Sequence, residues 1–130
     1  MITGFYAALL ALWLVVLSVR VIALRGNPVF KWFAFANSGE ESLQRAIRGH
    51  GNLIEYAPIF LLLMSLAEIS DAGATMDALH WYGAVFLMGR LMHGVCFGFM
   101  RRNFFLRVGG MILTLFPIAG LAVIMLVQHV

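Results

Sequence analysis

Charge is scarce in this chain. Of its 130 residues only 12% are Asp, Glu, Lys or Arg, about half the roughly 25% of an ordinary soluble domain. Hydrophobic residues make up 62%, and mean hydropathy is +0.93. Too few polar side chains are present to cover a water-facing surface, which excludes a soluble globular protein. Cysteine is almost absent as well. Cys96 stands alone, which excludes an intramolecular disulfide and a cysteine-built metal site. Placed mid-span, it is expected to act as a small packed residue. His50, His80, His93 and His129 fall in no His-x-x-His or Glu-x-x-His spacing, so no metal site is expected. No phosphate loop, nucleophile elbow, internal repeat or low-complexity tract occurs.

What the chain does have is long apolar runs. A membrane-spanning helix needs about 20 mostly apolar residues, so four would use most of this length. The runs predict spans over residues 2–24, 40–69, 79–100 and 104–127, and the fold class is all-α, an integral membrane four-helix bundle in a single transmembrane domain. Only Thr3, Gly4, Ser18 and Arg20 interrupt the first run. No Lys or Arg precedes it and no small-residue cleavage site follows, so a cleaved signal peptide is not expected. Gly26, Asn27 and Pro28 mark the first turn, and the aromatic stretch 31–37 is expected at headgroup level. Ser38 with Glu41 reads as a capping box opening the second helix. Pro58 is expected to bend that helix. Residues 70–77, with Asp71, Gly73 and Asp77, read as a short loop.

The net charge is +3 and the pI about 9.6. The basic residues adjoin apolar runs, which suits a membrane surface and gives no reason to expect nucleic acid. Eight of the nine flank the first and third connections, and Arg90 alone is mid-span. The excess of Lys and Arg on the cytoplasmic side of membrane proteins places those connections in the cytoplasm and both termini on the far side.

One stretch carries chemistry. At about 100° per residue, Glu41, Arg45, Arg48, Asn52 and Glu55 fall on one side of the second helix, and His50 points nearly opposite. A polar stripe running into lipid must face the bundle interior or a wet cavity. It serves either as ion pairs that fix helix packing or as a site for a zwitterionic ligand. In the second reading, arginines hold carboxylates while Asn52 and Glu55 accept from ammonium or amide groups. Arg90, His93, Phe97 and Arg101 repeat the pattern on the third helix, with Glu55 the expected partner of Arg90. Beside Arg90, His93 reads equally as a satisfied core residue or as part of a site. Gly94 and Gly98 are expected to permit close helix packing.

The segment Arg48-Gly-His50-Gly-Asn52-Leu-Ile-Glu55-Tyr56, followed by Pro58, resembles the signature of the membrane-associated proteins in eicosanoid and glutathione metabolism, the MAPEG family. Arg90-Leu-Met-His93 is similar to its third-helix motif, and Arg107 to its thiol-proximal arginine. The resemblance covers essentially the whole chain and is nearest the compact bacterial branch, which implies a bacterial inner membrane. It implies a homotrimer with glutathione at each subunit interface, facing the cytoplasm. Arg48, Asn52 and Glu55 would hold the tripeptide, with His93 nearby and Arg20 on a carboxylate. Arg107 would stabilise the thiolate, and Arg90 is the second candidate catalytic residue. The implied activity is that of a membrane-bound glutathione transferase or peroxidase acting on a lipophilic electrophile drawn from the membrane lipid. Family members often carry Tyr in place of Phe97 and Met111 and Ser in place of Val108, which speaks against lipid-mediator synthesis. Two alternatives stand beside this one. One is a non-catalytic glutathione- or lipid-binding membrane protein. The other is a small multidrug-type transporter, a class that usually needs an acidic residue in a substrate-facing span, and the first span has none.

Overall fold

A computed structural model of the chain describes residues 1–70 and 73–130. It contains four helices: α1 (Ile2–Leu24), α2 (Glu40–Ile69), α3 (Met76–Phe99) and α4 (Phe104–Gln128), with one 3₁₀ turn at Lys31–Phe33. Each helix is long and apolar enough to cross a membrane. No strand occurs among the described residues. Helices α2 and α3 form the middle of the bundle, each touching all the others, whereas α1 and α4 lie apart.

Small residues let these helices approach closely. A Cβ on Gly89 would sit 2.8 Å from the Gly110 carbonyl oxygen, and one on Gly110 would sit 2.9 Å from the His93 nitrogen. Backbone therefore meets backbone where α3 crosses α4. Gly94 receives the Trp13 ring, 2.7 Å from where its Cβ would be, while Gly98 faces Leu17 at an ordinary 3.4 Å. The core between them is filled by Leu10, Leu53, Met64 and Leu121, with Phe60 stacked on Phe86 at 3.9 Å between ring centroids.

Several local expectations are corrected. The Ser38–Glu41 capping box does not form: α2 begins after Gly39, which has φ 87° and caps without a side chain. Asn37 Oδ1 instead accepts from the Gly39 N–H, and Ser38 turns to the Ser42 hydroxyl at 2.7 Å. Helix α3 starts three residues before Leu79, because Thr75 Oγ1 accepts from the Ala78 N–H. It ends at Phe99, where Met100 turns extended, so Arg101 does not continue the Arg90–His93–Phe97 face. Cys96 accordingly lies in the last turn of α3, not mid-span. It is buried, with its thiol donating to the Asn103 carbonyl. Helix α2 runs unbroken through Pro58. Asp71 lies outside the described residues.

Contacts between elements fix the two ends. Arg20 and Arg45 donate to carbonyls at the end of α3, which brings the two basic connections to one end of the bundle. At the other end Glu68 accepts from the Ile2 and Thr3 N–H groups, at 2.6 and 2.9 Å. There Tyr6 also donates to the His80 carbonyl.

Candidate functional site

The polar stripe of α2 opens onto a cavity of about 510 Å³ at the basic end, within the roughly 300–1,000 Å³ of small-ligand sites. Arg45, Arg48, Asn52 and Glu55 line it from α2, His93 and Phe97 from α3, and Arg107 from the first turn of α4. The helical pitch explains the α2 contribution, since these residues recur every three or four positions. Arg48, Glu55 and Arg107 are exposed, whereas His93 is buried. Three guanidinium groups face one carboxylate among the described lining residues. The cavity is strongly cationic.

Its floor is rigid. The His93 ring stacks on Phe97 at 4.5 Å, and the Arg45 guanidinium lies over the other ring at 4.8 Å. Arg45 is fixed further by the Cys96 and Met100 carbonyls, at 2.9 and 3.2 Å. The buried Nδ1 of His93 has no hydrogen-bond partner among the described residues. Such an orphan is rare in a folded core.

Arg90 is fully buried, as a mid-span arginine must be. It does not line the cavity, and its expected partner Glu55 is not among its contacts. The guanidinium donates to Asn52 Oδ1 at 2.5 Å and to Thr114 Oγ1 at 2.8 Å, approaches Met111 Sδ, and lies under the Tyr56 ring. Arg90 is therefore a positioning residue for Asn52. The bond also changes what Asn52 offers. Its oxygen is engaged, which leaves the Nδ2 amide to donate, so Asn52 presents a donor where an acceptor is expected.

Arg20 is brought elsewhere. It lines a second cavity beside the first, and its Nε and Nη1 donate to the Gly98 and Phe33 carbonyls. His50 points away from the cationic cavity, as the helical rotation requires, and meets Ser18 of α1 at 3.0 Å. The Ser18 hydroxyl already donates to the Leu14 carbonyl, so it is the acceptor of that pair. Phe97 and Arg45 are the site residues that sequence reasoning undervalued. Both carry the right helical spacing, but stacking between them depends on how α2 crosses α3. Among the described residues no group of three His, Cys, Asp or Glu could hold a metal ion.

Four apolar helices around a guanidinium-lined cavity at one end define a class of small integral membrane proteins. The chain belongs to the MAPEG family, whose model matches residues 3–127. It is similar to the inner membrane protein YecN of Escherichia coli strain K12, 41% identical over 114 residues, which are 88% of this chain and 82% of that protein. The protein of the same name from a second Escherichia coli strain matches equally well. No solved structure matches.

Proposed function

We propose that the cationic cavity binds glutathione and that the protein conjugates it to, or reduces with it, a lipophilic electrophile within the membrane. The observation that carries this reading is the charge pattern of the cavity. Arg45, Arg48 and Arg107 face Glu55 as the one carboxylate among the described lining residues. Glutathione as its thiolate has two carboxylates, one ammonium and one thiolate. Guanidinium groups take carboxylates with two parallel hydrogen bonds, and Glu55 takes the ammonium. Asn52 Nδ2, left to donate by the Arg90 bond, suits a peptide carbonyl between them.

Arg107 has a particular place. It sits in the first turn of α4, where the helix dipole already presents positive potential. A thiol at about pKa 8.5 is mostly protonated at neutral pH, and helix N-termini and arginines lower that value. A sulfur directed there would ionise, while the bilayer supplies the apolar partner in register with it. Neither Phe97 nor Val108 has a hydroxyl to donate to the sulfur, which leaves Arg107 as the thiolate stabiliser. The resemblance to family members supports a homotrimer, and the basic connections support a cytoplasmic, inner-membrane-facing site.

The test is glutathione binding by calorimetry in detergent, followed by thiolate absorbance of the bound tripeptide against pH. Arg107→Ala should raise the thiol pKa and cut turnover of an electrophile panel at neutral pH, with turnover returning as pH rises. Affinity should change less. An unchanged titration with unchanged turnover would reject the role of Arg107. Binding without any thiolate in the parent protein would identify a non-catalytic glutathione binder. Proton-coupled uptake in vesicles, without glutathione binding, would identify a transporter instead.

A further inference from the structure

The second cavity, about 300 Å³, lies between the end of α1, the start of α2 and the last turn of α3. Arg20 forms part of its wall and is only 1% exposed. Two of its five N–H groups go to the Gly98 and Phe33 carbonyls, and the Phe35 and Phe99 rings face its guanidinium at 4.8 and 5.1 Å. Arg45, shared with the first cavity, is likewise held by carbonyls, and Arg101 adds a third cation at the rim. No Asp or Glu lines this space among the described residues. A buried guanidinium without a counter-charge is costly, and an anion offsets that cost.

The start of α2 points to the same ligand. Gly39 gives it no side-chain cap, and its first backbone bond, Leu43 N–H to Gly39 O, is long at 3.4 Å. Ser38 and Ser42, on either side of that helix start, line the cavity, whereas Glu40 and Glu41 of the first turn do not. Uncapped helix N-termini bind phosphate and similar anions. Beside the cavity Phe35, 51% exposed, stacks on the lining Phe99, and Trp32 in the same connection is 71% exposed. All four helices end or begin at this end of the bundle, and aromatic side chains gather at the membrane–water boundary in such proteins.

We infer that this second cavity binds the phosphate of an anionic phospholipid headgroup, with its acyl chains passing outward over Trp32 and Phe35. Basic recesses between spanning helices are suited to such headgroups. This site is separate from the one assigned to glutathione, although Arg45 and Phe97 line both.

The experiment is thermal unfolding of the full chain in a neutral detergent, with phosphatidylglycerol, phosphatidylcholine or inorganic phosphate added. Phosphatidylglycerol should raise Tm by a few degrees through binding linkage, and phosphatidylcholine should not. Arg101→Ala, at an exposed rim residue, should lose about half of the shift or more. Arg102→Ala, outside the cavity, and Arg48→Ala, in the neighbouring one, should keep it. An equal shift from phosphatidylcholine would overturn the proposal, as would an equal loss in Arg102→Ala. A full shift from inorganic phosphate alone would make this a free-anion site. Abolition of the lipid shift by glutathione, with Arg48→Ala restoring it, would assign the cavity to the tripeptide. Either result would also overturn the lipid.

Discussion

The two ends of this bundle use their polar side chains in opposite ways. At the basic end, guanidinium and amide groups are anchored on one side and left with donors to spare on the other. Arg45 is tied to two carbonyls yet lines two cavities, and Asn52 is held by Arg90 with its Nδ2 amide free to donate. At the opposite end most of the described polar groups are spent on one another, the buried Thr3 hydroxyl being the exception. Both Glu68 oxygens cap α1, and the Tyr6 hydroxyl is used by His80. The ring of Tyr6 fills the space that a side chain at Gly83 would occupy. Spare guanidinium and amide donors mark the end proposed to take a ligand. Contacts between helix ends mark the other, where Glu68 and Tyr6 reach across to α1 and α3.

The largest effect should come from the residue that joins these two roles. Arg90 makes two charge-assisted hydrogen bonds in the core, each worth about 1.5–3 kcal/mol. Arg90→Ala should cost about 3–5 kcal/mol of stability in denaturant unfolding and should also weaken glutathione binding by releasing Asn52. Full stability in that variant would erase the distinction between anchoring and ligand-facing groups.

A smaller effect should separate the faces of α2. Arg48→Ala and Glu55→Ala should each weaken glutathione binding about tenfold, or roughly 1.4 kcal/mol, with unfolding unchanged. His50→Ala should leave affinity untouched, since His50 meets Ser18 on the far side. Equal losses at all three positions would show that the cationic cavity is not where the tripeptide binds.

The smallest change belongs to the opposite end. Glu68→Gln removes the charge at the positive end of α1, an interaction of about 0.5–1 kcal/mol. Melting should fall slightly while glutathione affinity stays constant. A loss of affinity there would mean that the two ends do not act independently.

Much of this was legible in the residues. Apolar run length gave the limits of α1 and the end of α2, the start of α2 came from a capping box that does not form, and the rotation of α2 separated Arg48, Asn52 and Glu55 from His50. The missed features are of two kinds. Helix starts depend on single side-chain bonds, so Thr75 opened α3 earlier than its apolar run, and Asn37 displaced the expected cap at Ser38. Partners across helices depend on crossing geometry, which a wheel of one helix does not contain. Arg90 therefore meets Asn52 rather than Glu55, one turn away on the same face. Arg20 is a similar case, because its surroundings come from the 3₁₀ turn and from Gly98.

The Glu68 cap also has a consequence for how the first helix is set in place. Donor and acceptor are 66 and 65 residues apart, so the carboxylate that completes the first turn of α1 comes from the far end of α2. Glu68 comes level with Ile2 and Thr3 because α2 runs back along the length of α1. A slip of one helical turn displaces a side chain by about 5.4 Å, enough to break both bonds. The carboxylate thus works as a vernier, setting the depth of one helix against the other and, through that depth, the height at which Arg20 arrives at the opposite surface.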